Sequence, residues 1–457
     1  MIVAHAHQNY GKTYAGLVEK NSDITSLRLA SVDLNGQARG KRIPSRFAAK
    51  IFKAGTRMPF SACNLDLLGQ DIDDSPLVFN SGDADGTLRP TERGFVPMPW
   101  LITPTALLPV WMFNEDGTGF SSDPRHALQR LLNCFADQGL TPVVALEMEF
   151  YLIDTAAPKP QIPRAPLAPR AHHVADTLSV RALDDFDAFL TDLYSACEEM
   201  DIPADAAISE SGAGQFEINL LHCDDALRTA DNAWFFKTAA KGIARKHGYT
   251  ASFMAKPYLD SAGSGLHSHF SLLDRDGHNI FDDGTTAGSV ALQHAVAGCL
   301  AAMEASSLVF APFENSYNRL VPDAYAPTSI CWGYDNRTTA LRIPSSSSQA
   351  RRIEHRVAGG DANPYLLLTA ILGAALNGIE DRQLPAQPVT GNAYAQSLPQ
   401  IAESWKNAID LFGQSAQIKR MFDPELIDNY LRCKRQELRL LPALDPDSRT
   451  ALYLETL

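Results

Sequence analysis

Two acidic residues stand close together inside an apolar stretch, "TPVVALEMEFYLID", at residues 141–154. Side chains alternate across a β-strand, so Glu147 and Glu149 would point to the same face of that strand. Carboxylates at such close range raise each other's pKa unless cations neutralise them. The pattern therefore predicts a strand that presents a charged site.

Three further strand-like segments combine a polar stripe with a largely apolar one. They are "GQFEINL" at 214–220, "GLHSHFSLL" at 265–273 and "RRIEHRV" at 351–357. Their polar stripes hold Gln215, Glu217 and Asn219, then His267, His269 and Ser271, then Arg352, Glu354 and Arg356. A polar stripe on one strand usually faces solvent. Four stripes rich in Glu, His and Arg, with little Lys, instead indicate one shared site.

The residue types of these stripes favour hard divalent cations. The four carboxylates of Glu147, Glu149, Glu217 and Glu354 would share a cavity with His267. Carboxylate-rich sites bind Mg²⁺ or Mn²⁺, and the imidazole leans slightly toward Mn²⁺. No cysteine lies in the stripes, which disfavours a structural zinc site.

Arginines accompany the carboxylates in two nearby segments, "NRTTALRIP" and "ARRIEHR". The arginines are Arg337, Arg342, Arg351, Arg352 and Arg356. A guanidinium group matches phosphate oxygens bidentately, so arginines beside divalent metals suit a polyphosphate. The combination predicts nucleotide chemistry.

Composition and sequence pattern argue against a nucleic-acid partner, a disulfide framework and a membrane span. The 457-residue chain has a formal net charge of −13 and no basic run, which argues against nucleic acid. Seven widely spaced cysteines without a CxxC pair indicate reduced thiols in a cytoplasmic protein. The N-terminus lacks the apolar region of a secretory signal, and "PYLLLTAILGAALNGI" is too short to span a bilayer. We expect that stretch to form a buried helix.

Turn and cap residues divide the chain into two predicted domains, a small α+β domain at 1–105 and a large domain at 106–457. Asn35-Gly36 predicts a type I′ turn within a β-hairpin at 24–44. The predicted helices begin after Asp123, near 184 and 225, and after Asn363, and the last part of the chain is mostly helical. Gly139 is expected to end the first of them. The Pro-rich stretch at 155–170 predicts an extended surface loop.

Six motifs, in order along most of the chain, resemble the glutamine synthetase family. They are "ALEMEF", "SESGAGQFEI", "KPYLDSAGSGLHSHFSL", "NSYNRLVP", "NRTTALRIP" and "ARRIEHRV". The resemblance implies an α+β fold, with a β-grasp N-terminal domain and a catalytic domain built on a curved antiparallel sheet. It also implies a dodecamer of two stacked hexameric rings, with active sites at subunit boundaries.

The family reaction has two steps. ATP phosphorylates the γ-carboxylate of L-glutamate, and an amine then displaces phosphate from the γ-glutamyl phosphate.

The resemblance also implies roles for residues at matching positions. Glu149, Glu210 and Glu217 would hold one metal ion, and Glu147, His267 and Glu354 a second one. Glutamate-binding positions would be Glu149, Gly263, Gly265, Arg319 and Arg356. Nucleotide-binding positions would be His269, Ser271, Arg337, Arg342 and Arg352. Arg319, Arg337 and Tyr325 would take part in catalysis.

Two departures from the family pattern fall on the side of the second substrate. Ammonia-using members carry an Asp-Gly-Ser-Ser motif, where this chain reads "RMPFSACNLD" at 57–66. They also carry a glutamate in a mobile flap, where "VPDAYAP" at 321–327 has Tyr325. A phenol with a pKa of ~10 cannot replace a carboxylate as the base for ammonium at neutral pH.

These departures resemble the γ-glutamylpolyamine synthetase branch, which uses a larger amine than ammonia. Tyr325 could pack on an alkyl amine, or on its cation through the ring face. Two alternatives stay open. Tyr325 could be a packing residue in a glutamine synthetase that uses ammonia, or the chain could be a non-catalytic relative.

Overall fold

The structure, a computed structural model, describes residues 23–154, 160–164, 166–167 and 176–457. The Pro-rich loop predicted at 155–170 lies largely outside these residues. The strands are β1 Ser26–Val32, β2 Ala38–Pro44, β3 Thr56–Pro59, β4 Asp85–Pro90, β5 Val96–Pro97, β6 Thr105–Phe113, β7 Thr141–Asp154, β8 Ala204–Ser209, β9 Gln215–Leu220, β10 Tyr249–Ser252, β11 Leu266–Leu273, β12 Trp332–Tyr334, β13 Leu341–Ile343 and β14 Ile353–His355. The α-helices are α1 Ala48–Ala54, α2 Pro124–Asp137, α3 Val180–Asp184, α4 Asp187–Glu199, α5 Ala226–Lys246, α6 Val290–Met303, α7 Ser307–Phe310, α8 Pro364–Asp381, α9 Trp405–Gln414, α10 Ala416–Met421, α11 Pro424–Leu440 and α12 Pro446–Thr456. The predicted α+β class is confirmed.

The first sheet contains six strands in the order β2-β1-β6-β4-β3, and β5 also pairs with β6. β1 and β6 run parallel, and the other pairs are antiparallel. β6 extends to Phe113, so this sheet continues past the predicted domain boundary at residue 105. A boundary after Phe113 would keep the sheet whole, and the division into two domains stays a prediction.

The predicted hairpin at 24–44 is confirmed, but its predicted type I′ turn is wrong. β1 pairs with β2 from Ser26–Pro44 to Val32–Ala38, which leaves residues 33–37 as the connection. Gly36 has a φ of +78°, whereas Asn35 does not adopt the positive φ that a type I′ turn requires. Asp33 Oδ1 accepts hydrogen bonds from the backbone N–H groups of Asn35 and Gln37, at 2.9 and 2.8 Å. This side chain stabilises the longer connection.

The second sheet has eight strands in the order β12-β13-β14-β11-β7-β9-β8, with β10 also paired to β7. Among the strand pairs described for this sheet, only β12–β13 is parallel. The 14-residue strand β7 lies in its centre, between β9 and β11. The four segments predicted to carry polar stripes therefore form four neighbouring strands, in the order β14-β11-β7-β9.

Helices pack on the apolar face of this sheet. The core joins Met148 and Phe150 of β7 to Phe236 of α5 and Leu367 of α8. Asn363 caps α8 by accepting hydrogen bonds from the backbone N–H groups of Tyr365 and Leu366. The predicted caps and the buried α8 helix are confirmed, as is the end of α2 before Gly139, which has a φ of +70°.

Within the described ranges, none of the helices combines the length and the apolar character that crossing a membrane would require.

Candidate active site

Strand register places the predicted site residues on one face of the second sheet. Glu147 of β7 lies opposite His267 of β11 on one side and Asn219 of β9 on the other. Glu149 lies opposite Glu217 in the β7–β9 pair. In the next pair, His269 of β11 lies opposite Glu354 of β14. Antiparallel partners point to the same face, so the four polar stripes converge as the sequence predicted.

One group that could hold a metal ion is formed by Glu147, His267 and Glu354, with one ligand atom from each residue within 4.8 Å of the others. His267 Nδ1 lies 3.0 Å from Glu147 Oε2, and His269 Nε2 lies 2.7 Å from Glu147 Oε1. Glu147, His267 and Glu354 are the residues that the resemblance assigned to the second metal.

A second group consists of Glu149, Glu217 and His267, again with ligand atoms within 4.8 Å of one another. The expected set contained Glu210 in place of His267. Glu210 follows β8 and lies at the edge of this group, where burial and the charge of Glu149 raise its pKa to about 7. The two groups therefore share His267 between them.

The electrostatics of the groups fit a divalent cation. Burial and the charges of Glu147 and Glu149 raise the pKa of Glu217 to about 9. Burial also disfavours the charge of Glu147, but hydrogen bonds with His267 and His269 outweigh it and hold that pKa below its ordinary value. Repulsion among clustered carboxylates is what a bound cation relieves. The oxygen-rich donor set with one imidazole suits Mg²⁺ or Mn²⁺.

Arginines surround the Glu354 side of the site. Arg342 Nη1 donates to Glu354 Oε2 at 2.7 Å, and Arg356 pairs with the other carboxylate oxygen of Glu354. Arg352 Nε lies 3.2 Å from His269 Nδ1. Arg351, which the sequence grouped with them, instead donates to the backbone oxygen of Thr285 at 3.1 Å.

Two further predicted nucleotide residues lie at the margins of the site. Ser271 lies on β11 two residues beyond His269, and is therefore on the same face. Arg337 is exposed in the loop between β12 and β13, and its charge acts on the carboxyl group of Glu210.

Two glycines allow the backbone to approach the site closely. A Cβ atom on Gly265 would lie 2.7 Å from Arg319 Nη2 and 2.9 Å from His267 Nε2. The Gly265 N–H donates to Glu149 Oε2 at 2.7 Å. A Cβ atom on Gly263 would lie 2.7 Å from Arg319 Cγ. Larger residues would therefore displace the buried Arg319 side chain, whose Nη1 donates to the backbone oxygen of Val357 at 2.7 Å.

Tyr325 lies apart from this buried cluster. Its side chain is 71% exposed, and its backbone has a φ of +56° in the 321–327 segment. Asp323 in the same segment has a φ of +61°. The structure thus brings together five of the six predicted metal ligands, the glycines and Arg319, while Glu210 lies at the edge and Tyr325 lies on an exposed loop.

Some residues at the site were not singled out for a role from the sequence. Gln215 Nε2 lies 3.4 Å from Glu149 Oε2 and donates to the backbone oxygen of Gly263 at 3.1 Å. The ring of His222 lies 6.2 Å from that of His269. Gln215 belongs to the polar stripe of β9, so alternation could have identified it, whereas His222 follows the strand and carried no such signal.

Comparisons with known proteins agree with this geometry. Residues 121–446 match the glutamine synthetase catalytic domain family. The γ-glutamylputrescine synthetase PuuA of Escherichia coli strain K12 is 38% identical over 89% of this chain and 86% of its own length. A γ-glutamylethanolamide synthetase of Streptomyces coelicolor is 33% identical over 93% of this chain and 91% of its own length.

A solved structure of a GmaS–ADP complex superimposes with a TM-score of 0.83 and 26% identity, over 96% of this chain and 99% of that one. The match extends through both sheets and is not confined to the site. The chain belongs to the glutamine synthetase family.

Proposed function

We propose that this protein is an ATP-dependent ligase that joins the γ-carboxylate of L-glutamate to a primary amine larger than ammonia. The observation that carries the proposal is the convergence of Glu147, Glu149, Glu217, His267 and Glu354 beside the Gly265–Arg319 pocket. Carboxylates that can hold two cations suit phosphoryl transfer, and a buried arginine suits a carboxylate substrate. The amine-ligase names of the two relatives support this reading.

The carboxylate groups would hold Mg²⁺ or Mn²⁺. Glu149 and Glu217, with Glu210 at their edge, form one site, and Glu147, His267 and Glu354 form the other. A bound divalent cation would supply charge neutralisation for the phosphates of ATP. His269 and Arg352 orient one another, and His269 also fixes Glu147 through the 2.7 Å contact.

ATP lies along the arginine side, and glutamate lies in the glycine pocket. Arg342 and Arg352, with His269 and Ser271 on β11, form the nucleotide side, and Arg337 reaches the transferred phosphoryl group from its exposed loop. Arg319 and Arg356 bind the glutamate carboxylates and the charge that develops on the γ-carboxylate. Preorganised positive groups of this kind stabilise phosphoryl transfer by position and charge.

The amine enters on the side of the 321–327 segment. The names of the two relatives refer to γ-glutamyl products of putrescine and ethanolamine, and a tyrosine replaces the acid expected for ammonium capture. The Tyr325 ring would pack on the methylenes of an alkyl amine or on its cation. Putrescine, spermidine or a related amine is the expected substrate.

Assembly and location follow the family. The first sheet, with its parallel β1–β6 pair in the middle, would form the β-grasp domain, and the protein would assemble as a cytoplasmic dodecamer with active sites at subunit boundaries. Phe60 could also contribute an apolar wall to the amine pocket, and its ring packs on that of Phe120, with the ring centroids 4.6 Å apart. The apolar wall of the pocket would come mainly from the 321–327 segment.

An amine panel tests the proposal. Phosphate release is measured with ATP, Mg²⁺, glutamate and, at equal concentrations, ammonium, putrescine, spermidine, an alkyl monoamine or an aromatic amine. We expect a diamine or polyamine to give the highest kcat/KM. Ammonium as the best substrate would make the protein a glutamine synthetase, and no release with any amine would indicate a non-catalytic relative.

A further inference from the structure

The 389–401 segment lies against two loops of the active site. The backbone N–H of Ile330 donates to Pro399 at 2.7 Å, and that of Ile401 donates to Thr328 at 3.0 Å. These bonds pair the end of the segment with the residues that follow the 321–327 loop. Cys331, Val389 and Ala393, with Leu398 beside them, form a small apolar cluster of their own. The segment is thus held to the active-site loops by its own contacts.

The same segment holds the turn that carries Arg337. Asn336 Nδ2 donates to the backbone oxygen of Gly391 at 2.8 Å. On the other side of Arg337, Thr338 Oγ1 accepts from the backbone N–H of Ala393 at 2.9 Å. Both neighbours of Arg337 are therefore fixed to residues 391–393.

Tyr394 connects this segment to the amine side. Its hydroxyl donates to the backbone oxygen of Ala326 at 3.0 Å, and Ala326 is buried next to the exposed Tyr325. Burial raises the pKa of Tyr394, so its hydroxyl keeps the proton that it donates at neutral pH. Tyr325 and Asp323 both have a positive φ, a backbone conformation that costs free energy in residues other than glycine. Such a loop needs contacts that hold it.

We propose that Tyr394 is a positioning residue for the amine step, since its hydroxyl holds Ala326 and thereby keeps Tyr325 in its strained conformation over the amine site. Through residues 391–393 the same segment places this loop at a fixed position relative to Arg337. The inference rests on the proposed function for the role of Tyr325. It assigns Tyr394 an effect on amine recognition rather than on glutamate or ATP binding.

The variant Tyr394→Phe removes the hydroxyl and keeps the ring. We expect the KM for the amine to rise about fivefold, which corresponds to the ~1 kcal/mol of one neutral hydrogen bond. The KM values for glutamate and ATP should stay within about twofold of wild type, since both nucleotide and glutamate contacts are intact. Amide hydrogen exchange in residues 321–327 should become faster in the free protein.

Tyr194→Phe is the matched control. The Tyr194 hydroxyl also donates to a backbone oxygen, that of Asp205, at 2.6 Å. Tyr194 lies on α4, away from the site. It should leave amine KM and exchange in 321–327 unchanged. The same values in Tyr394→Phe as in Tyr194→Phe would overturn the proposal. A rise confined to the KM for glutamate would also overturn it, since Tyr394 would then act through the nearby Arg319 and Arg356.

A double variant tests the route through Tyr325. If Tyr394 acts by positioning Tyr325, then Tyr394→Phe combined with Tyr325→Ala should have the same amine KM as Tyr325→Ala alone. Independent, additive losses would contradict that route. Failure of the proposed function would be seen as an ammonium preference of the wild-type enzyme. The amide hydrogen exchange measurement needs no amine, so it tests the role of Tyr394 separately.

Discussion

The two sides of the active site are built in different ways. On the side proposed to hold metal ions and phosphate, Glu147, Glu217, His267 and Glu354 lie on adjacent strands in the middle of a sheet, and His267, Glu217 and Glu354 are buried. On the amine side, Tyr325 is 71% exposed and lies on a loop with two positive-φ residues other than glycine. Strand register fixes the first side, whereas a few loop contacts fix the second.

This difference indicates which side evolution can change at low cost. A substitution among the carboxylates of β7 or β9 would remove a group that the proposed phosphoryl transfer needs. A substitution at the exposed position 325 disturbs no buried partner, so the second substrate can change while phosphoryl transfer is kept. The following predictions test the contrast, beginning with the largest effect.

Glu217→Gln should abolish the reaction without unfolding the protein. Burial and the charges of Glu147 and Glu149 raise the pKa of the metal-free Glu217 carboxyl group to about 9, so glutamine imitates the neutral form that this group holds at neutral pH. We expect phosphate release to fall by about 10³-fold or more because a metal ligand is lost, while the Tm in EDTA does not decrease. The measurements are phosphate release at saturating substrates and thermal unfolding.

Asp276→Asn is the control for that variant. Asp276 belongs to an exposed group with Asp274 and His278, whose ligand atoms also lie within 4.8 Å of one another. We expect wild-type phosphate release from Asp276→Asn. Activity within twofold of wild type in Glu217→Gln would exclude the carboxylate cluster as the metal site.

Arg319→Lys should impair glutamate use far more than ATP use. Lysine keeps the charge but loses the planar guanidinium group, which also donates to Val357 at 2.7 Å. Loss of a charged hydrogen bond predicts a rise of about 10- to 100-fold in the KM for glutamate. A nucleotide titration should give an unchanged Kd for ATP. Weaker nucleotide binding with normal glutamate dependence would contradict the assignment.

The sequence predicted the convergence of the polar stripes because period-two alternation is a local property. Once β7, β9, β11 and β14 are adjacent, the stripes must meet, and no detail of loops is needed. Alternation could not predict that His267 lies within reach of both groups, and the role of Glu210 as a ligand stays a prediction because Glu210 follows a strand and its distance depends on the 210–214 connection. The order of the strands likewise depends on long-range pairing, and the sequence did not predict it.

The contacts on the amine side could not be predicted from the sequence. Tyr394 and Ala326 are 68 residues apart, and the hydrogen bond between them has no local signal. The type I′ turn at Asn35-Gly36 was wrong for a related reason, because the Asp33 side chain stabilises a longer connection. Side chains that bond to the backbone compete with the turn that a dipeptide favours.

The stability of the metal-free protein should depend on pH through Glu217. Its pKa in the folded state, about 9, lies above its ordinary value of 4.5, so the folded protein holds a proton that the unfolded chain loses. The contribution of Glu217 to stability therefore decreases as pH rises from about 4.5 toward 9. Glu210, with a pKa raised to about 7, acts in the same direction.

Two partly buried lysines titrate in the same range, so the test compares two proteins. Burial lowers the pKa of Lys237 to about 8 and that of Lys241 to about 7, which acts in the opposite direction. These contributions cancel in the difference between Glu217→Gln and wild type. In EDTA, the Tm advantage of Glu217→Gln should increase from pH 6 to pH 9, and excess Mg²⁺ should reverse it. A difference that stays constant across this range would contradict the raised pKa.

The smallest expected effect concerns the choice of amine. Tyr325→Glu introduces the acid that the resemblance predicts for ammonia use at this position. Glutamate tolerates the positive φ no better and no worse than tyrosine, so backbone strain cancels in the comparison. An exposed carboxylate attracts ammonium by only about 1 kcal/mol, and loss of the ring removes contacts worth ~0.8 kcal/mol per buried methylene of an alkyl amine. The ratio of kcat/KM for putrescine to that for ammonium should therefore fall by roughly 10-fold.

Tyr325→Phe is the control, because it keeps the apolar ring and should keep the wild-type ratio. The measurement is phosphate release with each amine at saturating ATP and glutamate. Equal ratios in Tyr325→Glu and Tyr325→Phe would show that position 325 does not contact the amine, and the contrast between the two sides of the site would then need another loop residue.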